Sequence, residues 1–435
     1  MDDAPSAIRR ELHELIRKFM AGKQGSPDSR SMPLVADTIG AEEISAVLDT
    51  FLDGHITMGP RVRRLEAEWS RYLGLPDSVM VNSGSSANLL ALAAAALPDL
   101  PGGLRPGDEV LVPAVGWSTT IYPIAQAGLL PVLVDCDPSL LNVDLERLQA
   151  AMSKHTRGIV VVHLLGNPCA MDRIAAFAAE QGLFLMEDCC EAHGAEIAGR
   201  KVGTFGDLST FSFFFSHHIT TGEGGMVSMR DPKPWADRVR SLRAHGWIRE
   251  RSDRDKIIAQ NPGIDPRWLF VSQGYNVRST DMNAAIGLVQ LCKLDQFVRR
   301  RRQIRQRLLD GLAGLEDRLV LQQEQPGGQH SAFAFAMILR HGVALERKDF
   351  AAGLEAAGIE TRPVVTGNLA RQPVLQHMPH RIAGKLVNAD FVHDRGLMIG
   401  IHPSTTDAQV AHVVATVQRL VGGLRAPACG SAGHP

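Results

Sequence analysis

The sequence predicts an α/β fold built on a mainly parallel sheet covered by helices on both faces. Three observations carry this reading. Short apolar runs of strand length alternate with stretches of helical periodicity as far as Asp188. At 435 residues the chain is long enough for a large α/β domain with a smaller companion. Its composition, 45% hydrophobic and 21% charged, is that of a globular protein with a large core, which excludes collagen-like, disordered and disulfide-scaffold classes.

The elements follow in order. Val62, Leu65, Trp69 and Leu73 share one helical face, with Arg61, Arg63, Arg64, Glu66 and Glu68 turned outward. VMV at 79–81 then reads as a strand, Ala87 to Leu97 as a helix, EVLV from Glu109 as a strand, Thr119 to Ala127 as a helix and PVLVD from Pro131 as a strand. GIVVVH from Gly158 and LFLMED from Leu183 continue the strands, with another helical stretch between them. An Arg-rich helical region from Thr280 to about Leu312 leads to a different pattern, opened by the strand-like SAFAFAMIL from Ser331. The expected division is an N-terminal helical segment (1–35), a large α/β domain (36–300), a small α+β domain (301–422) and a disordered Gly, Pro and Ala-rich tail (423–435).

Charge and composition narrow the partners. Lys plus Arg total 46 against 47 Asp plus Glu, a formal net charge of −1, so no global field draws nucleic acid or an anionic membrane. No apolar run approaches the roughly 18 residues of a membrane helix. The opening MDDAPSAIRRELHELIRKFM lacks the apolar core of a secretory signal, which makes the cytoplasm the expected location. Cysteines at 136, 169, 189, 190, 292 and 429 have no spacing of a disulfide framework or zinc ribbon and are expected to be reduced.

In parallel sheets ligands collect at the carboxyl ends of the strands, where three segments stand out. In VNSGSSANLL (81–90) a strand stops at a small polar turn and a helix begins; small residues let N–H groups at a helix N-terminus approach a phosphate, with the Ser85 and Ser86 hydroxyls as further donors, while a plain Ser N-cap is the commoner use of such a turn. In MEDCCEAHGAE (186–196) Asp188 ends a strand, where a carboxylate can hold a ring nitrogen protonated or cap a helix. Glu191 could reach the same ring, and His193 reads as a packed structural residue. In TFSFFFSHHITTGEGGMVS (210–228) adjacent His217 and His218 point oppositely on an extended chain, so no shared metal is expected and acid/base work suits one of them.

Together with PAVGWSTT (113–120) and GYNVRSTDMNAAIGLVQL (274–291), these segments closely resemble the pyridoxal-phosphate sugar aminotransferases of deoxysugar synthesis, the DegT/DnrJ/EryC1/StrS type, over about residues 35 to 420. The resemblance implies an aspartate-aminotransferase (fold type I) architecture active as a homodimer with shared sites. It implies that Asp188 pairs with the pyridine nitrogen, Glu191 lies near the ring hydroxyl, and Trp117 stacks on the ring. Gly84, Ser85 and Ser212 would hold the phosphate, joined by Asn276 from the neighbouring subunit.

One departure redirects the function. The family carries its Schiff-base lysine five residues after the serine matching Ser212, and His217 stands there; Lys201, sixteen residues away, is the closest lysine upstream. HHITTGEGG and TGNLARQP (366–373) resemble a branch of the family, the nucleotide-diphosphate 4-keto-6-deoxyhexose 3-dehydratases. That branch implies a cofactor held as pyridoxamine phosphate, His217 as acid and base, and loss of the C3 hydroxyl from a 4-keto sugar nucleotide. With no closely spaced cysteine set for an iron–sulfur cluster, regeneration by L-glutamate is favoured over a reductase. Arg249, Arg278, Arg362 or Arg371 could meet the substrate's diphosphate. An aminotransferase using a displaced lysine, a reductase-coupled dehydrase and a non-catalytic sugar-nucleotide sensor are the other readings.

Overall fold

The computed structural model describes residues 4–22 and 30–422; the tail expected at 423–435 lies outside the described residues. The strands are β1 (Asp77–Val81), β2 (Glu109–Pro113), β3 (Leu130–Val134), β4 (Thr156–Val162), β5 (Phe184–Asp188), β6 (Glu196–Ile197), β7 (Arg200–Lys201), β8 (Leu208–Ser212) and β9 (Gly225–Met229). After them come β10 (Leu319–Leu321), β11 (Gly328–Gln329), β12 (Ala334–Leu339), β13 (Thr361–Pro363), β14 (Arg381–Ile382) and β15 (Gly396–Gly400).

The large sheet has the order β1-β9-β8-β5-β4-β2-β3-β14. β9 is antiparallel to both of its neighbours, and every other pairing is parallel. Burial on both faces explains why strands such as EVLVP read as continuous apolar runs rather than alternating ones. The chain leaves β2 toward β3 on one side and β4 toward β5 on the other. Their carboxyl ends therefore part at a switch of direction, where a crevice opens.

Local chemistry sets the helix ends around that crevice. Ser83 Oγ accepts the Ser86 N–H at 3.0 Å and so starts the helix Gly84–Ala95 directly after β1. The helix Pro60–Leu73 opens on proline and closes on left-handed Gly74 (φ 74). Its first N–H groups donate to a carboxylate far along the chain: Gly59 and Val62 each reach Asp281 Oδ1 at 2.9 Å.

A second, antiparallel sheet of order β10-β12-β15-β13 packs Met337, Leu339 and Ile399 against Phe350, Leu354, Val413 and Val417. The helix Asp281–Leu312 runs unbroken across the boundary expected at 300; Ala284, Leu294 and Val298 belong to one core and Ile304, Leu308 and Leu312 to the other. The expected N-terminal segment is likewise tied in, because Met32 bridges to Ile359 and is buried in the small-sheet core. Among the described residues no helix is long and apolar enough to cross a membrane.

Candidate active site

A cavity of about 630 Å³ lies at the carboxyl ends of β1, β4, β5 and β8, closed by residues in and beside β12, β13 and β15. It gathers Gly84, Ser85, Trp117, Asp188, Glu191, Ser212, His217 and Arg362 from segments far apart in sequence.

Asp188 is buried and oriented by three donors. Asn88 Nδ2 (2.9 Å) and Thr120 Oγ1 (2.7 Å) donate to Oδ2, and the Cys190 N–H donates to Oδ1 at 3.1 Å. Thr210 Oγ1 fixes Asn88 in turn by donating to its Oδ1 at 2.6 Å. A carboxylate held this way is ready to receive a protonated ring nitrogen. At the mouth Trp117 is 55% exposed, an indole face with room for a planar ring.

The phosphate end is shaped by close approach. A Cβ on Gly84 would lie 2.5 Å from Ser212 Cβ and 3.0 Å from Cys190 Sγ, so only glycine fits where the helix Gly84–Ala95 aims its N-terminus into the cavity. Ser85 Oγ shares a 2.9 Å hydrogen bond with Thr119 Oγ1, and Ser212 Oγ accepts the Phe214 N–H at 3.3 Å. A phosphate with its ring between Trp117 and Asp188 suits this donor set.

His217 is half-buried, its ring 5.1 Å from that of Phe333 and its Nδ1 3.5 Å from Ser216 Oγ. Burial, with the Arg301 guanidinium nearby, pushes its imidazole down to about 3, so it is neutral at pH 7. His218 turns away, its Nε2 3.1 Å from the Ser331 carbonyl oxygen, as expected for neighbours that diverge. His193 is packed among Trp69, Phe211 and Phe213. Glu191 accepts the Leu165 N–H at 2.8 Å, and burial pushes its carboxyl up to about 7.

Other expected residues fall elsewhere. Arg249 stacks over Trp247 at 4.2 Å, Arg278 Nε donates to Asn276 Oδ1 at 3.0 Å, and Arg371 pairs with Asp394 at 2.6 Å; Arg249, Asn276, Arg278 and Arg371 all lie outside the cavity lining. Lys201 is also outside it, its Nζ 4.8 Å from the Tyr72 ring centroid, and no lysine of the described residues lines it. A displaced Lys201 within the same chain is thereby corrected: the cavity offers histidine where condensation would need an amine.

Sequence reading missed Asn88, Thr119, Thr120 and Arg301. Asn88 was legible as the lone amide in an Ala/Leu-rich helix, whereas Arg301 was hidden in the run Arg299 to Arg302, read only as an Arg-rich stretch. A further buried group, His163, Glu187 and Cys189, has ligand atoms within 4.8 Å of one another. His163 Nδ1 accepts the Cys169 N–H at 3.0 Å, so Nε2 carries the proton and donates to Glu187 at 3.1 Å, which explains the pair without an ion.

Strand ends that surround a phosphate cradle, a braced carboxylate and an exposed indole define a fold type I pyridoxal-phosphate enzyme, here with histidine at the lysine position. The chain belongs to the DegT/DnrJ/EryC1/StrS aminotransferase family, whose profile matches residues 37–418. It is 41% identical over 388 residues to dTDP-4-dehydro-2,6-dideoxy-D-glucose 3-dehydratase of Saccharopolyspora spinosa, covering 86% of this chain and 83% of the relative. It is 39% identical over 387 residues to GDP-4-keto-6-deoxy-D-mannose 3-dehydratase of Yersinia pseudotuberculosis, covering 88% and 97%. A solved structure of the E. coli GDP-4-keto-6-deoxy-D-mannose-3-dehydratase with bound hydrated PLP superposes with a TM-score of 0.84 at 36% identity, over 89% of this chain and 99% of that one. A GDP-4-keto-6-deoxymannose-3-dehydratase with a trapped PLP-glutamate geminal diamine superposes at 0.83 and 36% identity, over 88% and 100%.

Proposed function

We propose that the protein is a pyridoxamine-phosphate-dependent dehydratase that removes the C3 hydroxyl of a nucleotide-linked 4-keto-6-deoxyhexose, its aminated cofactor regenerated by L-glutamate. The observation that carries this is a neutral histidine, His217, in a cavity that no described lysine lines. When bound, the cofactor supplies an electron sink in conjugation with an amine that captures the sugar's C4 carbonyl. The relatives named as 3-dehydratases and the solved GDP-4-keto-6-deoxymannose-3-dehydratase with a trapped PLP-glutamate geminal diamine support the reading.

The chain's own residues divide the work. Asp188 holds the proton on the ring nitrogen, Trp117 orients the ring, and Gly84, Ser85 and Ser212 hold the phosphate. His217 Nε2, free of hydrogen bonds among the described residues, accepts a proton next to the reacting carbon and returns it to the departing C3 oxygen. Because imidazole cannot condense with a carbonyl, it does not compete for the cofactor as lysine would. Arg362, exposed at the cavity, suits the substrate diphosphate.

We also infer a homodimer, with Asn276 reaching the phosphate of the neighbouring subunit; its position outside its own cavity supports that role. The free cysteines among the described residues fit the reducing cytoplasm. The test is incubation of the purified protein with glutamate and a panel of GDP- and dTDP-linked 4-keto-6-deoxyhexoses. Formation of 2-oxoglutarate with a product lacking the C3 oxygen supports the reading. An amino sugar as product, or a lysine trapped by borohydride, overturns it.

A further inference from the structure

Arg301 is a buried cation without a counter-charge. It is 3% exposed, and its Nη1 donates to the carbonyls of Phe333 (3.0 Å) and Ile401. Nε is buried with no partner, and among the described residues no carboxylate pairs with the guanidinium. Arg243, a comparably buried arginine, is by contrast answered by Glu66 and Glu250, both at 2.7 Å. An unpaired buried charge is costly, so a site that keeps one is built for an anion that arrives from outside.

The position selects the anion. Arg301 lines the cavity beside Phe333, whose ring is 5.1 Å from His217, on the reacting side rather than at the Gly84 phosphate end. A 4-keto sugar that presents C4 and C3 to His217 carries its diphosphate on C1, across the ring and toward the mouth. Its buried end is uncharged and cannot neutralise a guanidinium. A small amino acid brings a planar carboxylate to that depth, which matches the arginine fork. We propose that Arg301 is the carboxylate anchor for the amino donor, so that the same pocket admits sugar nucleotide and glutamate in turn and distinguishes them at this residue. This rests on the glutamate-coupled reading above.

The experiment titrates glutarate, a dicarboxylate without the reacting amine, into holoenzyme by calorimetry, for the wild type, R301K and R301Q. It also measures KM for glutamate and for the sugar nucleotide. In R301Q the glutarate Kd and the glutamate KM should both rise about ten- to hundredfold, the cost of one charge-assisted contact, and in R301K by less. The KM for the sugar nucleotide should move at least tenfold less than the KM for glutamate. A merely structural arginine would instead lower both half-reactions together, and that result overturns the anchor. If R301Q does not fold, R301K decides, and an unchanged glutarate Kd with an unchanged glutamate KM overturns it. A wild type that releases no 2-oxoglutarate from glutamate sinks the functional reading itself, whereas normal release with R301 variants indifferent to glutarate sinks the anchor alone.

Discussion

Glu187 and Asp188 are neighbours at the end of one strand, and the sheet sends them to opposite faces with opposite duties. Glu187 is enclosed by its own chain. Its Oε1 accepts the N–H groups of Phe205 and Gly206 at 2.7 Å each, and its Oε2 accepts Gly203 N–H (2.7 Å) and His163 Nε2 (3.1 Å). Burial alone would raise its pKa, but His163 and these N–H groups hold it below the ordinary carboxylate value. Asp188 is braced mainly through Oδ2 and still lines the cavity. Two carboxylates of nearly the same chemistry thus serve as scaffold and site, and the difference lies in whether the chain itself satisfies every lone pair.

The contrast breaks most visibly on the cavity face. His217→Gln should cut turnover about 10²- to 10⁴-fold while the melting temperature stays close to wild type, checked by single-turnover product mass beside a thermal melt. Next in size, Glu187→Gln should cost about 3–5 kcal/mol of stability by unpairing a buried network, yet leave turnover per folded molecule near wild type; denaturant titration with active-site counting checks both. Were Glu187→Gln to abolish turnover in fully folded protein, the assignment of the two faces would be wrong. Thr120→Val removes one donor to Asp188 and should weaken cofactor retention by about 1.5–3 kcal/mol, read as the cofactor Kd, with a smaller effect on the melt.

Much of this contrast was readable in the sequence, because parallel strands buried on both faces are plain apolar runs and the site residues sit where those runs stop. β1 to β5 and the helices between them follow the expected spans closely, and Asp188, Ser212 and His217 line one cavity. Glu187 was invisible as a structural acid, since its partners His163 and Gly203 to Gly206 come from two other segments. The placement of the arginines was hidden for a related reason. Nothing in the sequence tells Arg371, held by Asp394, from Arg301, held only by carbonyls, because ion pairing depends on chain reversals that periodicity does not encode. The helix Asp281–Leu312 serves two cores without a composition break, so no sequence signal marks where one core gives way to the other.

The smallest effect sharpens the comparison by pH. His217 is depressed from an ordinary 6.5 to about 3, so its contribution to stability is complete above pH 6.5 and is lost as pH falls toward 3. Glu187, depressed from 4.5, adds a loss that begins only below pH 4.5. Glu191 runs the other way: raised to about 7, chiefly by burial, it favours the folded state below pH 4.5 and loses that contribution as pH rises through 7. Between pH 6.5 and 4.5 the two cavity groups therefore oppose each other, and the Glu187 face is silent. Melting curves across that window should fall more steeply with acid in Glu191→Gln than in the wild type, and less steeply in His217→Gln. Glu187→Gln should lower the melting temperature throughout this window by removing the partner of four buried donors, and a variant as stable as the wild type would show that the network does not hold the fold.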